Sequence, residues 1–320
     1  MPNYSGVWSL SQQFQAVGQG LWPPNFVPTE TFAIFALGGT PSASTTRNKY
    51  TYSGDAVSAG SAATVASYIG SAAGNSTVGI FALGCNGAGI MITCRNKYTY
   101  SGCVVSAGGA ATVGSRAGSA AGNSTAGIFA LGLNSSFVLT NTRNKYTYSG
   151  CVVSAGGAAT VATQCQSAAG NSTVGIFALG YDGSTALTTR NKYTYSGDVV
   201  SAGGAATTGN YGGSAAGTST VGIFALGGNS SFARTTTRNK YTYSGCVVSA
   251  GGAATAASRH GSAAGSSTVG IFALGQTNCG NVTTRDKYTY SGCVVAAGGA
   301  ATAASFYGSA ASNGTSGVNM

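Results

Sequence analysis

Short apolar runs bounded by glycine recur along the chain, from "FAIFALGG" at 32–39 through "VGIFALG" at 78–84 to "VGIFALG" at 269–275. Each is too short for a helix and suits a strand buried on both faces. After each comes "RNKYTYSG" or its near-copy, starting at 47, 95, 143, 190, 238 and 285, so the period is 48, 48, 47, 48 and 47 residues. The alternation of side chains in a strand puts Arg95, Lys97 and Thr99 on one side of segment 95–101, and Asn96, Tyr98 and Tyr100 on the other. A small Ala-rich strand around Ser71 to Ala73 precedes the apolar run, separated from it by the turn residues Gly74-Asn75-Ser76. "VVSAGGAAT" at 104–112 follows as a fourth strand.

Four strands per repeat, six times over, predict an all-β fold, a six-bladed β-propeller of four-stranded blades. An apolar strand ending in Gly-Gly, as in "IFALGG" at 34–39 and 223–228, followed by a Tyr-bearing strand, resembles kelch repeats across residues 30–310. The sequence departs from that pattern in lacking the later Trp, and only two copies keep the glycine pair. The resemblance implies the fold and says almost nothing of function. The first repeat has no "SAAGN" segment before it, and the last ends in "GSAASNGTS" without reaching an "IFALG". The C-terminal strand is therefore expected to complete blade one and close the ring. The expected division is an N-terminal arm, 1–28, and a propeller, 29–320.

Composition sharpens this picture. Hydrophobic residues make up 43% of the 320 and charged residues only 6%, so a packed core is expected. No apolar run approaches the roughly 20 residues of a transmembrane helix, and the N-terminus lacks the pattern of a Sec signal peptide. The formal charge is +10, but 12 of the 15 Lys and Arg residues belong to the repeated motif. Arg and Lys at one place in every blade are expected to bond backbone carbonyls, or to stack on a Tyr of the same or the next blade, so no nucleic-acid partner is expected.

The turns "GNST" and "SGD/SGC" fall on one face of the ring and are nearly invariant. The long loops and inter-blade links fall on the other and carry the variation. The candidate ligand-binding residues there are Tyr68, Arg116, Gln164, Tyr181, Asp182, Tyr211, Phe232, Arg234, Arg259, His260, Phe306 and Tyr307. Loops on a rigid scaffold usually carry binding, and Tyr, Phe and Arg suit a sugar or a protein partner; unselected drift among the six copies explains the variation equally well. Catalysis is poorly supplied. His260 is the single histidine, the acids are Glu30, Asp55, Asp182, Asp198 and Asp286, and no CxxC occurs, so no enzyme, cofactor or metal site is expected. Cys85 and Cys94 flank one loop as a candidate hairpin disulfide, while Cys103, Cys151, Cys246 and Cys293 occupy the position of the turn Asp, either free or cross-linked to another chain.

The arm carries Trp8, Phe14 and Trp22 and ends in "WPPNFVP". Its stretch "NYSGVWSLSQQFQAVGQGLWP" resembles the opening of marine bacteriophage structural and adhesion proteins over some 22 residues. The resemblance implies a non-enzymatic virion or surface protein, assembled in a cytoplasm and attached to other virion or assembly proteins through the arm, with the variable face reading a host glycan or surface protein. A strap lying on the propeller itself is the other reading of the arm. A structural unit that self-assembles into a fibre or coat as a homo-oligomer, and a polyanion binder, are the alternative functions.

Overall fold

The computed structural model describes residues 31–40 and 42–314. The candidate arm with Trp8, Phe14 and Trp22 lies outside the described residues. The chain is all-β with a single short 3-10 turn at Ser101–Cys103 among the described residues. Its strands form repeated four-stranded antiparallel sheets, consistent with propeller blades; six such sheets occur among the described residues. Sheet two is typical: an inner strand Ser71–Gly74, a second strand Val78–Ala82, a third strand Arg95–Thr99 and an outer strand Val104–Ala107. The third strand is two residues shorter than the expected 95–101, because Tyr100 turns out of the ladder while its ring stays buried. The outer strand stops at Ala107 rather than 112, because the following glycines carry the chain across to sheet three. A Cβ at Gly109 would collide with the Cys151 carbonyl, so only glycine lets the two backbones meet.

In sheet one the inner strand comes from the far end of the chain. Ser309–Ser312 pairs antiparallel with Phe32–Ala36, Ala310 facing Phe35 and Ala311 facing Ile34.

The sheets pack face to face through apolar layers. Between sheets two and three, Ala73, Val78 and Ile80 meet Ala120, Phe129, Tyr146 and Tyr148. The same layer recurs between sheets six and one, where Ala264 and Ile271 meet Ala33, Phe35, Tyr50 and Tyr52. The second strand is therefore buried on both sides, Ile toward the following sheet and Phe toward the preceding one. Glycine at its second position makes room for a phenol: a Cβ on Gly127 would lie 2.9 Å from the Tyr148 hydroxyl.

The repeated arginine lies in these layers. Arg47, Arg95, Arg143, Arg190, Arg238 and Arg285 are each at most 2% exposed. Each guanidinium covers the phenylalanine of the following sheet at 4.4–4.7 Å and reaches that sheet's tyrosine at 5.8–5.9 Å. The expected stacking is present, with Phe rather than Tyr as the nearer ring. Nη1 donates to a backbone carbonyl, as from Arg143 to Gly157 at 3.4 Å, and Nη2 donates to the next sheet's Asn, as from Arg143 to Asn191 at 3.2 Å. Asparagine is the residue that can take this bond and return one. Asn144 Oδ1 accepts from Arg95 and from the Thr112 amide, while its Nδ2 donates to Thr112 Oγ1 at 3.0 Å. In sheet six Asp286 replaces it. Asp286 pairs with Arg238 at 2.7 Å, and the Thr255 hydroxyl turns round to donate at 2.6 Å.

The repeated lysine is half-buried at the sheet flanks. Lys145 pairs with Asp198 at 2.9 Å and Lys287 with Asp55 at 2.9 Å, each carboxylate also accepting from its own sheet's tyrosine, Tyr193 or Tyr50. Burial pushes the Asp55 carboxyl up, but the bonds from Tyr50 and Lys287 outweigh it and hold the group below its ordinary range.

Candidate functional site

The links that enter the inner strands meet at one cavity of about 70 Å³, room for a few water molecules. Ile69, Ala117, Cys165, Gly212, His260 and Tyr307, one from each link, all have φ between 53° and 61°. This left-handed conformation turns each residue's N–H toward the carbonyl of the preceding link. Ile69 donates to Tyr307 at 3.0 Å, Tyr307 to His260 at 2.7 Å, His260 to Gly212 at 2.6 Å and Gly212 to Cys165 at 2.8 Å. Cys165 donates to Ala117 at 2.7 Å and Ala117 to Ile69 at 3.2 Å, so the six bonds form an unbroken cycle. Five unlike side chains and one glycine thus stand on one backbone frame around the cavity mouth.

The structure brings together most of the residues singled out from the sequence. His260 stacks on Tyr307 with ring centroids 4.0 Å apart, its Nε2 3.1 Å from the phenol oxygen. Tyr211 lies 6.0 Å from His260, 5.5 Å from Phe232 and 6.3 Å from Tyr181, and Phe306 packs beside Tyr307 at 5.1 Å. Arg259 lies over the Tyr211 ring at 5.7 Å, donates from Nη1 to the Tyr211 hydroxyl, and donates from Nε to Gln276 at 3.1 Å. Arg234 bonds Asn278 at 2.9 Å. Arg116 covers Phe137 at 5.8 Å.

Other candidates play different parts. Tyr68 packs beside the small core of Cys85, Met91 and Leu133. Gln164 pairs through its backbone with Tyr181. Asp182 Oδ1 caps its own turn, accepting from the Ser184 amide and hydroxyl at 2.8 Å and from the Thr185 amide at 2.7 Å, and these bonds hold the carboxyl below its ordinary range. Tyr211 and His260 are 6% and 7% exposed, so they support the surface instead of offering themselves to a ligand. The Cys85–Cys94 disulfide is corrected: both thiols are free, Cys85 buried and Cys94 exposed. The loop register explains this, since Cys85 lies opposite Met91 while Leu83 bonds the Cys94 carbonyl. Cys103, Cys151, Cys246 and Cys293 are free and half-buried at their turns.

Burial pulls His260 down to about 3, with Arg259 and Arg234 adding to the shift, so the imidazole is neutral at ordinary pH. Burial pushes the Cys165 thiol up to about 11 against the opposing charges of Arg116 and Arg259. Burial likewise raises Tyr307, with the same two guanidiniums opposing. The charges of Arg116 and Arg259 therefore both reach the cavity mouth.

Sequence reasoning missed the most exposed apolar groups here. Phe137 is 70% exposed, Ile90 61%, Val138 57% and Phe232 58%, and of these Phe232 alone was singled out. Phe137 and Phe232 sit in "NSSF" loops whose Asn134 and Asn229 side chains bond the backbone amides of Ser136, Val138, Ser231 and Ala233, fixing each ring at a residue of positive φ. The repeated Asn-Ser-Ser-Phe was the available signal.

No family model matches the chain. No curated protein matches it in sequence either. Among solved structures it is similar to that of YjhT, with a TM-score of 0.61, 12% identity, and coverage of 79% of this chain and 93% of that one. At that identity the likeness shows the fold alone.

Proposed function

We propose that the six sheets are the blades of a closed six-bladed propeller, and that the chain is a non-enzymatic recognition module. In this reading it is an adhesion or structural component of a virion or other extracellular particle, whose loop face binds a host glycan or protein. The pairing of Ser309–Ser312 with the first strand, the apolar layer between sheets six and one, and the cycle of six backbone bonds support the closed ring. The observation that carries the binding reading is the contrast between the ends of the sheets. Near-identical turns stand at one end, while Arg116, Phe137, Tyr181, Phe232 and Arg259 gather at the other. The acids among the described residues lend themselves poorly to catalysis, since Asp55, Asp198 and Asp286 are held in ion pairs and Asp182 caps its turn.

The test is binding to a glycan array and to candidate host cells at low and high salt, comparing the wild type with a Phe232→Ser, Arg259→Gln double variant. Salt-resistant binding abolished in the variant is the expected result; binding equal in both proteins rules out this face.

One observation favours a second reading. Val104, Val152, Val199, Val247 and Val294 on the outer strands are 55–59% exposed along edges without charge or proline. Unprotected edges of this kind invite pairing between copies, so a fibre or coat built edge to edge is the alternative. Size-exclusion chromatography separates the two: a compact monomer contradicts the assembly.

A further inference from the structure

The loop face carries a strip of residues tied together by the backbone cycle. At one end exposed Phe137 lies 5.8 Å from Arg116, next to Ala117 of the cycle; across the cavity Arg259, next to His260, lies over Tyr211, which packs against exposed Phe232 at 5.5 Å and, through His260, against Tyr307. Arg116 and Arg259 are half-buried, and neither has a carboxylate partner among the described residues. Asp182, the acid of this face, already accepts three bonds within its own turn. The strip is thus cationic at its centre, apolar at both ends and without an acid of its own.

Resting on the reading of this face as a binding surface, we propose that the strip docks an acidic segment of a partner polypeptide, a carboxylate entering between Arg116 and Arg259 and apolar side chains covering Phe137 and Phe232. Charge complementarity selects this occupant. A neutral glycan brings no charge to complement the guanidiniums, whereas a carboxylate brings both charge and acceptor oxygens. An anionic membrane is drawn to clusters of four to eight Lys and Arg, whereas here there are three arginines held individually, Arg259 by Tyr211 and Gln276, Arg234 by Asn278 and Arg116 over Phe137. Arg beside exposed aromatics on preorganised loops is the composition of protein-binding hot spots.

The experiment is selection of a displayed random dodecapeptide library on the immobilised full chain at 150 mM salt, with a glycan array and vesicles of 30% phosphatidylserine as parallel probes. Peptides rich in Asp or Glu beside apolar residues are expected, each weakened by about tenfold or more by Arg116→Gln, Arg259→Gln or Phe137→Ser. Arg116→Lys should retain part of the affinity, and Lys97→Gln at the sheet flank should change nothing. Circular-dichroism melting verifies that each variant folds. Failure to enrich acidic peptides, or enrichment indifferent to the arginine variants, overturns the proposal. Glycan or vesicle binding lost in those same variants overturns the polypeptide partner while leaving the binding face intact. Binding retained in all the variants overturns both.

Discussion

At the scale of the residue, the buried arginine decides how neighbouring sheets hold together. Six guanidiniums lie in apolar layers, five of them beside a neutral amide, and burial lowers five of the six to about 10. What offsets the desolvation is a ring face at about 4.5 Å, a carbonyl and an Asn oxygen, with a desolvated cation–π contact worth about 2 kcal/mol and a charged hydrogen bond about 1.5–3 kcal/mol. Arg143→Met should therefore destabilise by about 3 kcal/mol or more, read from the midpoint of urea unfolding. Asp286 refines the argument. Asp286→Asn recreates the arrangement of the other five layers and should cost about 1 kcal/mol or less. Asp286→Ala leaves the Arg238 charge without its acceptor and should cost about 3 kcal/mol or more. Equal losses in the two variants would show that the ion pair, and not the acceptor geometry, matters. His260 gives a pH dependence. Its folded value lies near 3, below that of an unfolded histidine, so the unfolded chain binds the extra proton first as pH falls. Stability is full above about pH 6.5 and should fall by about 2 kcal/mol at pH 5. His260→Asn, which tolerates the positive φ, should flatten the profile between pH 6.5 and 5, where the carboxylates have not begun to titrate.

At the scale of the element, the strand Ser309–Ser312 contributes four residues, yet it covers one whole edge of sheet one. Ala310 and Ala311 are fully buried, and Asn313 Oδ1 accepts from the Phe32 amide at 2.7 Å. A chain ending at Tyr307 should lose more than about 4 kcal/mol and its single unfolding transition, and a synthetic peptide "GSAASNGTS" supplied in excess should restore part of both. An unchanged transition would mean that sheet one contributes nothing to the cooperative unit. This pairing was legible in the sequence, because the missing "SAAG" at one end and the surplus one at the other are patterns of side chains. So were the four strands of each repeat and the stacking of arginine on aromatic rings. The cycle of backbone bonds at the cavity was not. It is made by main-chain groups at positions held by Ile, Ala, Cys, Gly, His and Tyr, residues with no shared side-chain chemistry. The Asn–Thr exchange was hidden for a related reason, since its partners stand 31 or 32 residues apart and meet only across two sheets. The sequence places the loop residues on one face as a group, but burial of Tyr211 and His260 and exposure of Phe137 depend on how each loop folds over its neighbours.

At the scale of the whole molecule, the formal charge of +10 divides into two parts of different meaning. Six arginines are buried with Asp286 as their single carboxylate, so about half of the net charge lies inside the sheet layers and cannot reach a polymer in solution. The flank lysines include two paired with Asp55 and Asp198, and of the three loop-face arginines Arg234 and Arg259 are bonded to local partners while Arg116 covers Phe137. A polyanion binder releases counterions in proportion to the phosphates it neutralises, with a logarithmic salt slope of about −0.9 per contact. If all fifteen basic groups were available, affinity for heparin or duplex DNA would collapse over a modest rise in salt. The burial of six and the pairing of others predict weak retention instead, with elution from heparin well below 0.5 M salt, roughly the range of a few screened contacts. The slope should correspond to no more than about three contacts and should be unaffected by Asp286→Asn. Steep salt dependence with tight binding at low salt would mean that the flank lysines act together as one cationic belt. That result would move function from the loop face to the perimeter, and the charge would no longer be a by-product of repetition.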